Sequence, residues 1–109
     1  MMARDPGLEE LIRADLPPDA WTERAMFGGW AWLLNGNLVC AARADGMLAR
    51  LGKGGDGWAL SMPGVAQMIS AGRPMAGWVR ASPEAYGDDG LRRRLLSAAL
   101  DFVRGLPAK

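Results

Sequence analysis

Chemistry in a short chain rests on few side chains, and this sequence is sparing with them. It contains no histidine, which removes Ser-His-Asp triads, imidazole general bases and nearly every ordinary zinc or iron site. Its one cysteine, Cys40, can close no internal disulfide and belongs to no CxxC pair. The acids Glu23, Asp45, Asp56 and Glu84 are scattered, and no spacing forces two of them together as general acid and base. Gly52-Lys53-Gly54-Gly55 has the composition of a phosphate loop without the GxxxxGK[ST] spacing, and no Ser or Thr follows Lys53. It reads as a flexible loop. Arg92-Arg93-Arg94 would fan over about 200° of a helix, which makes an ordinary solvated face rather than a phosphate clamp. These observations argue for a chain that is not an enzyme and carries neither metal nor cofactor.

The residues that remain are tryptophan and arginine. Nearly all the positive charge is Arg, since only Lys53 and Lys109 are lysines, so the cations suit stacking and bidentate contacts. Where these residues meet depends on the strands that carry them. Residues 24–51 read as a meander of three strands. Asn35-Gly36 between apolar runs is a strong type I′ hairpin signal, and Asp45-Gly46 repeats it. Two-residue loops there pair Leu33 with Leu38, Trp32 with Val39 and Ala31 with Cys40, then Arg43 with Leu48 and Ala42 with Ala49. One face then collects Ala31, Leu33, Leu38, Cys40, Ala42, Ala44, Met47, Ala49 and Leu51, uninterrupted by charge, and is the side that helices must cover. Cys40 lands there as a small buried hydrophobe. The other face collects Trp30, Trp32, Leu34, Asn37, Val39, Ala41, Arg43, Leu48 and Arg50. Gly28-Gly29 permits a bulge, so Arg24, Met26 and Phe27 take no face from pattern alone.

The flanking elements follow from caps and periodicity. Asp5 caps a helix over residues 6–16, with Leu8, Leu11, Ile12 and Leu16 along its inner stripe and Pro17-Pro18 ending it. Residues 52–64 are glycine-rich, with Asp56 capping a short helix before Pro63. A second hairpin runs over residues 65–69 and 75–81, joined by residues 70–74, and Ser82-Pro83 ends it. Asp88 or Asp89 caps a last helix through about Arg104, with Leu91, Leu95, Leu96, Ala99, Phe102, Val103 and Leu106 as its stripe.

The bulk numbers fit one ordinary globular domain over residues 1–109: 50% hydrophobic, 23% charged. Thirteen basic against twelve acidic residues give a charge of +1, too little for a global field that draws in nucleic acid or anionic membrane. The first twenty residues meet Asp5, Glu9, Glu10 and Asp15 early, unlike a signal peptide. No apolar run approaches the ~18 residues that span a bilayer. The expected setting is the cytoplasm, with no membrane partner.

Glu23-Arg24-Ala25-Met26-Phe27-Gly28-Gly29, the Asn35-Gly36 hairpin and Gly72-Arg73-Pro74-Met75-Ala76-Gly77-Trp78-Val79 together resemble the TfoX N-terminal domain family, over roughly residues 8–106. The signature positions are Arg24, Met26, Phe27, Gly28, Gly29, Gly72, Arg73, Pro74 and Met75. The resemblance implies an α+β, two-layer sandwich: an antiparallel sheet with helices on one face, similar to the secretion-chaperone-like fold. The family's best-known member regulates natural competence, promoting transcription with the cAMP receptor protein. It has a C-terminal helical domain beyond the region of resemblance. The family motif implies no catalytic or ligand residues.

The leading expectation is thus a non-enzymatic interaction or regulatory module that pairs as a homodimer through Trp30, Trp32, Arg43 and Arg50, residue types enriched at interface hot spots. On that reading Trp32→Ser leaves the fold intact and abolishes association. Binding of nucleic acid or a transcription complex is an alternative, since aromatics interleaved with arginine can stack bases, although the near-neutral charge argues against it. A small-ligand binder is the third.

Overall fold

A computed structural model describes residues 4–109. Helix α1, Pro6–Asp15, opens on Asp5, whose carboxylate accepts the Leu8 amide at 3.1 Å. Strands β1 (Trp21–Met26), β2 (Gly29–Leu34), β3 (Asn37–Arg43) and β4 (Gly46–Arg50) follow as an antiparallel meander. After the short α2, Gly57–Leu60, come β5 (Val65–Ser70) and β6 (Arg73–Ala81), then α3 (Pro83–Tyr86) and α4 (Asp89–Arg104). The sheet has six strands in the order β1-β2-β3-β4-β6-β5, and every pairing is antiparallel. Helix α4 lies across β3 and β4, with α1 beside it and α3 against β4 and β6. The fold is the expected two-layer α+β arrangement. No helix among the described residues is long and apolar enough to cross a membrane.

The register differs from expectation in three places. Residues 21–34 form two strands rather than one, because Phe27-Gly28 is itself a tight turn pairing Met26 with Gly29. Both turn residues have positive φ, 58° and 72°, the type I′ pattern that matches strand twist. The β3–β4 turn is Ala44-Asp45 rather than Asp45-Gly46, with Arg43 opposite Gly46. Gly46 is drawn into the strand with φ of 145°, where a side chain would overlap the Ala81 carbonyl of β6.

The third difference reverses a face. Asn35-Gly36 makes the expected turn, pairing Leu34 with Asn37 and Leu33 with Leu38, but Trp32 then pairs with Cys40. Val39 is a bulge, and a one-residue shift turns every following side chain of the partner strand over. Trp30, Trp32 and Leu34 consequently lie under the helices with Val39, Cys40, Ala42, Met47 and Ala49. Ala31, Leu33 and Leu38, expected there, lie on the opposite face with Ala41 and Leu48. The bulge places the bulky Trp30 and Trp32 where helices offer apolar surface, and leaves Ala31 and Leu33 on the other side. Asn37 is also helix-side, buried, with its amide donating to the Pro107 carbonyl at 2.9 Å.

The second hairpin forms as expected, with its turn at Ala71-Gly72 and β6 starting two residues early, at Arg73. Pro74 thereby joins β6 in a stretch that extends past β4, where a missing N–H breaks no ladder on that side. In α1, Leu8 and Ile12 are buried as expected while Leu11 is exposed. Helix α4 begins at Asp88 as its cap and buries Leu95, Leu96, Ala99 and Val103. It also buries Arg92, which was expected in solvent. The Arg92 Nε donates to Asp15 at 2.6 Å and its Nη1 to the Tyr86 carbonyl at 2.9 Å. Arg93 bonds the same carboxylate and Arg94 stacks on Trp58 at 4.0 Å. The three arginines therefore tie α4 to α1 and α2.

Candidate binding site

Trp30, Trp32, Arg43 and Arg50 do not share a face, so the subunit boundary expected from them does not exist as drawn. The tryptophans belong to the helix side, where arginines ion-paired to Glu9 and Glu23 cover them: Arg4, just before α1, and Arg13, within it. Trp30 donates its indole N–H to Glu23 at 2.7 Å and lies beneath the Arg4 guanidinium at 4.2 Å. Trp32 is 1% exposed, beneath Arg13 at 5.6 Å, with its own N–H buried and without a partner at hydrogen-bond distance. Arg13 clasps Glu23 at 2.7 Å. That hydrogen bond, above all, holds the Glu23 carboxyl below its ordinary range. Cys40 is fully buried, and burial pushes its thiol far up, so it stays a protonated core residue.

The opposite face, with no helix over it, carries a second apolar cluster. Ala31, Leu33, Ala41, Leu48, Met68 and Trp78 are buried there, with Met26, Phe27, Leu38 and Met75 packed against them. Phe27 on the β1–β2 turn and Trp78 on β6 meet edge to face, ring centres 5.8 Å apart, although β3 and β4 separate their strands in the sheet. Beside them is a hollow of about 340 Å³ lined by residues of five strands: Arg24 and Met26 from β1, Leu33 from β2, Leu38 from β3, Arg50 from β4, Met75 and Trp78 from β6. Phe27, Gly36 and Lys109 complete it.

Two separated sequence blocks meet in this hollow. Arg24, Met26 and Phe27 come from the first signature and Met75 from the second, followed by Trp78. The remaining signature positions shape backbone. Gly28 completes the Phe27 turn, Gly29 passes so close to β3 that a side chain would overlap the Ala42 carbonyl, and Gly72 completes the β5–β6 turn. Arg73 and Pro74 are exposed at the start of β6 and do not line the hollow. Arg43, on the same face, is spent on Asp45 at 2.6 Å.

Trp78 and Leu38 belong to the site and were not foreseen in it. The available signal was the glycine before Trp78. Gly77 has φ of 82°, and its carbonyl accepts both Leu51 and Gly52 amides, at 2.7 and 3.1 Å. A glycine inside a strand pattern marks such an irregularity, and here it lets Met75 and Trp78, three positions apart, line one cavity.

The hollow is cationic. Among the described residues no acidic side chain lines it, and neither Arg24 nor Arg50 forms an ion pair; Arg73, Arg80 and Arg94 form none either, whereas Arg4, Arg13, Arg43, Arg92, Arg93 and Arg104 do. Arg50 is half-buried, with one long hydrogen bond to the Leu38 carbonyl at 3.4 Å and the Phe102 ring 5.5 Å away. A second hollow of about 320 Å³, lined by Gly52, Lys53, Ala76 and Phe102, shares Arg50 and Trp78 with the first. Among the described residues no group of three or more acids or thiols could hold a metal ion. Comparison with models of protein families, with curated proteins and with solved structures finds no match for this chain.

Proposed function

We propose that this chain is a non-enzymatic interaction module whose working surface is the helix-free face of its sheet. The convergence of both signature blocks on one hollow carries the reading. Arg24, Met26 and Phe27 are far from Met75 in sequence, yet all four share that wall with Trp78 and Arg50. An apolar cavity with a few convergent charged groups is the usual form of a binding site. The resemblance to TfoX N-terminal domains supports a regulatory setting, in which a domain acts by holding a partner rather than by chemistry. The acids support the same reading, because Glu23 is committed to Arg13 and Trp30, and Asp45 to Arg43.

Nucleic acid is the weaker partner. Base stacking needs a free aromatic face, and Trp78 is only 7% exposed. A homodimer through the helix-free face is weaker still, since two copies would bring Arg24 and Arg50 against their own equivalents.

The test is amide-resolved NMR during titration with a panel of small organic cations, anions and neutral molecules. Shifts gathered at residues 24–28, 38, 50 and 75–78 are expected for at least one class. Shifts confined to the helical side, around α1 and α4, would overturn the proposal.

A further inference from the structure

The geometry points to an amphipathic organic anion, a carboxylate on a small aromatic body, as the ligand of the hollow. This rests on the hollow being the working surface and goes on to name what enters it. Charge complementarity comes first. A guanidinium offers five N–H donors in a fork shaped for carboxylate, and Arg50, half-buried, uses them on a single long bond to the Leu38 carbonyl. Arg24 stands on the same wall with no acid bonded to it among the described residues. A half-buried cation without an anionic partner is costly, and an entering anion would relieve that cost.

The apolar half of the ligand follows from Phe27. A bulky residue at φ of 58° is strained, and the equivalent position of the β2–β3 turn carries Asn35, which adopts φ of 53° with less penalty. Strain of this kind concentrates at functional sites. At Phe27 it holds the ring against Trp78 and over the cavity. Met26 and Met75 flank it with flexible thioethers that pack well on aromatic rings. Size sets the limit. About 340 Å³ lies near the lower end of small-molecule cavities, which suits a body of one fused ring system and excludes a folded partner.

The test uses three probes on the full chain, read by amide shifts and by calorimetry: indole-3-acetate, tryptamine and acetate. The first has ring and anion, the second the ring with a cation, the third the anion alone. Indole-3-acetate is expected to perturb residues 24–28, 50 and 75–78 and to bind at least about tenfold tighter than either control. Its affinity should fall as salt rises from about 50 to about 500 mM. Arg50→Gln and Arg24→Gln should each weaken it several-fold. Phe27→Asn, which relaxes the turn while removing the ring, should weaken it with the fold retained by circular dichroism. Tryptamine binding in the hollow as tightly as indole-3-acetate would overturn the anion while leaving the working surface in place. Failure of indole-3-acetate to perturb the hollow at millimolar concentration overturns the inference. Shifts there from other members of the wider panel would then still uphold the surface itself.

Discussion

Trp32 lies beneath the Arg13 guanidinium at 1% exposure and forms part of the main core, so its role is to fill volume. Truncating a fully buried tryptophan costs about 3–5 kcal/mol. Trp32→Ser is therefore expected to lower the unfolding free energy from urea denaturation by that much, and an unchanged midpoint would place the side chain outside the core. The Arg92–Asp15 pair makes a second test. Burial pushes the Asp15 carboxyl up, but hydrogen bonds from Arg92 and Arg93 outweigh it, and the net shift is downward. Glu23 is lowered by Arg13 first, and Asp45 by Arg43 first. A carboxyl lowered on folding stabilises fully above its unfolded value, roughly pH 4, and loses that contribution as pH falls through the folded value. The melting temperature should thus be flat between about pH 5.5 and 7, where no histidine titrates, and fall below about pH 4. Asp15→Asn leaves Arg92 buried without its main partner and should cost about 3–5 kcal/mol at neutral pH. The difference from wild type should shrink in acid; a penalty constant with pH would mean that the carboxylate charge contributes nothing.

Adjacent glycines with opposite reasons for existing define the β1–β2 element. Gly28 needs a positive φ of 72° but has open space around its Cβ position. Gly29 has no such φ, yet its Cβ would overlap the Ala42 carbonyl across the ladder. Gly28→Ala should cost about 1–2 kcal/mol, the penalty of the left-handed region. Gly29→Ala should cost more, because the β3 backbone must move. Denaturation of both variants decides it, and the reverse order would show that β3 gives way easily. The same region explains what pattern could and could not convey. Turn chemistry at Asn35-Gly36, the cap at Asp88 and the α4 stripe depend on neighbours within a few residues, and all three formed as the sequence implies. The Val39 bulge depends on where α1 and α4 can cover Trp30 and Trp32, which no local rule contains. Phe27-Gly28 lacks the Asn or Asp of a standard hairpin turn, and so hid the strand boundary. The candidate site was half visible: Arg24, Met26, Phe27, Met75 and Trp78 stood in the quoted blocks, while Leu33, Leu38 and Arg50 did not, and the convergence required β6 to pair with β4.

At the scale of the whole molecule, burial and charge are divided between the two faces. The helix side pairs Arg4, Arg13, Arg92 and Arg93 with acids and stacks Arg94 on Trp58, while the hollow keeps Arg24 and Arg50 without an acid partner among the described residues. The exposed large hydrophobics, Leu11, Leu60 and Ile69, sit singly on α1, α2 and β5. They do not form the contiguous apolar patch that marks a stable interface. One edge strand is guarded too: β1 presents Thr22, Glu23 and Arg24 to solvent, charged and polar residues that discourage edge-to-edge pairing. Light scattering after size exclusion should accordingly give 11.7 kDa across the micromolar range. A mass of twice that would point first to an edge, and β5, where Ile69 is 59% exposed, is the edge with an apolar residue to bury. Ile69→Lys would then restore the monomer if β5 forms the contact. If it left the dimer intact, the contact would lie off the β5 edge, and repeating the amide titration on the dimer would show whether the hollow stays accessible.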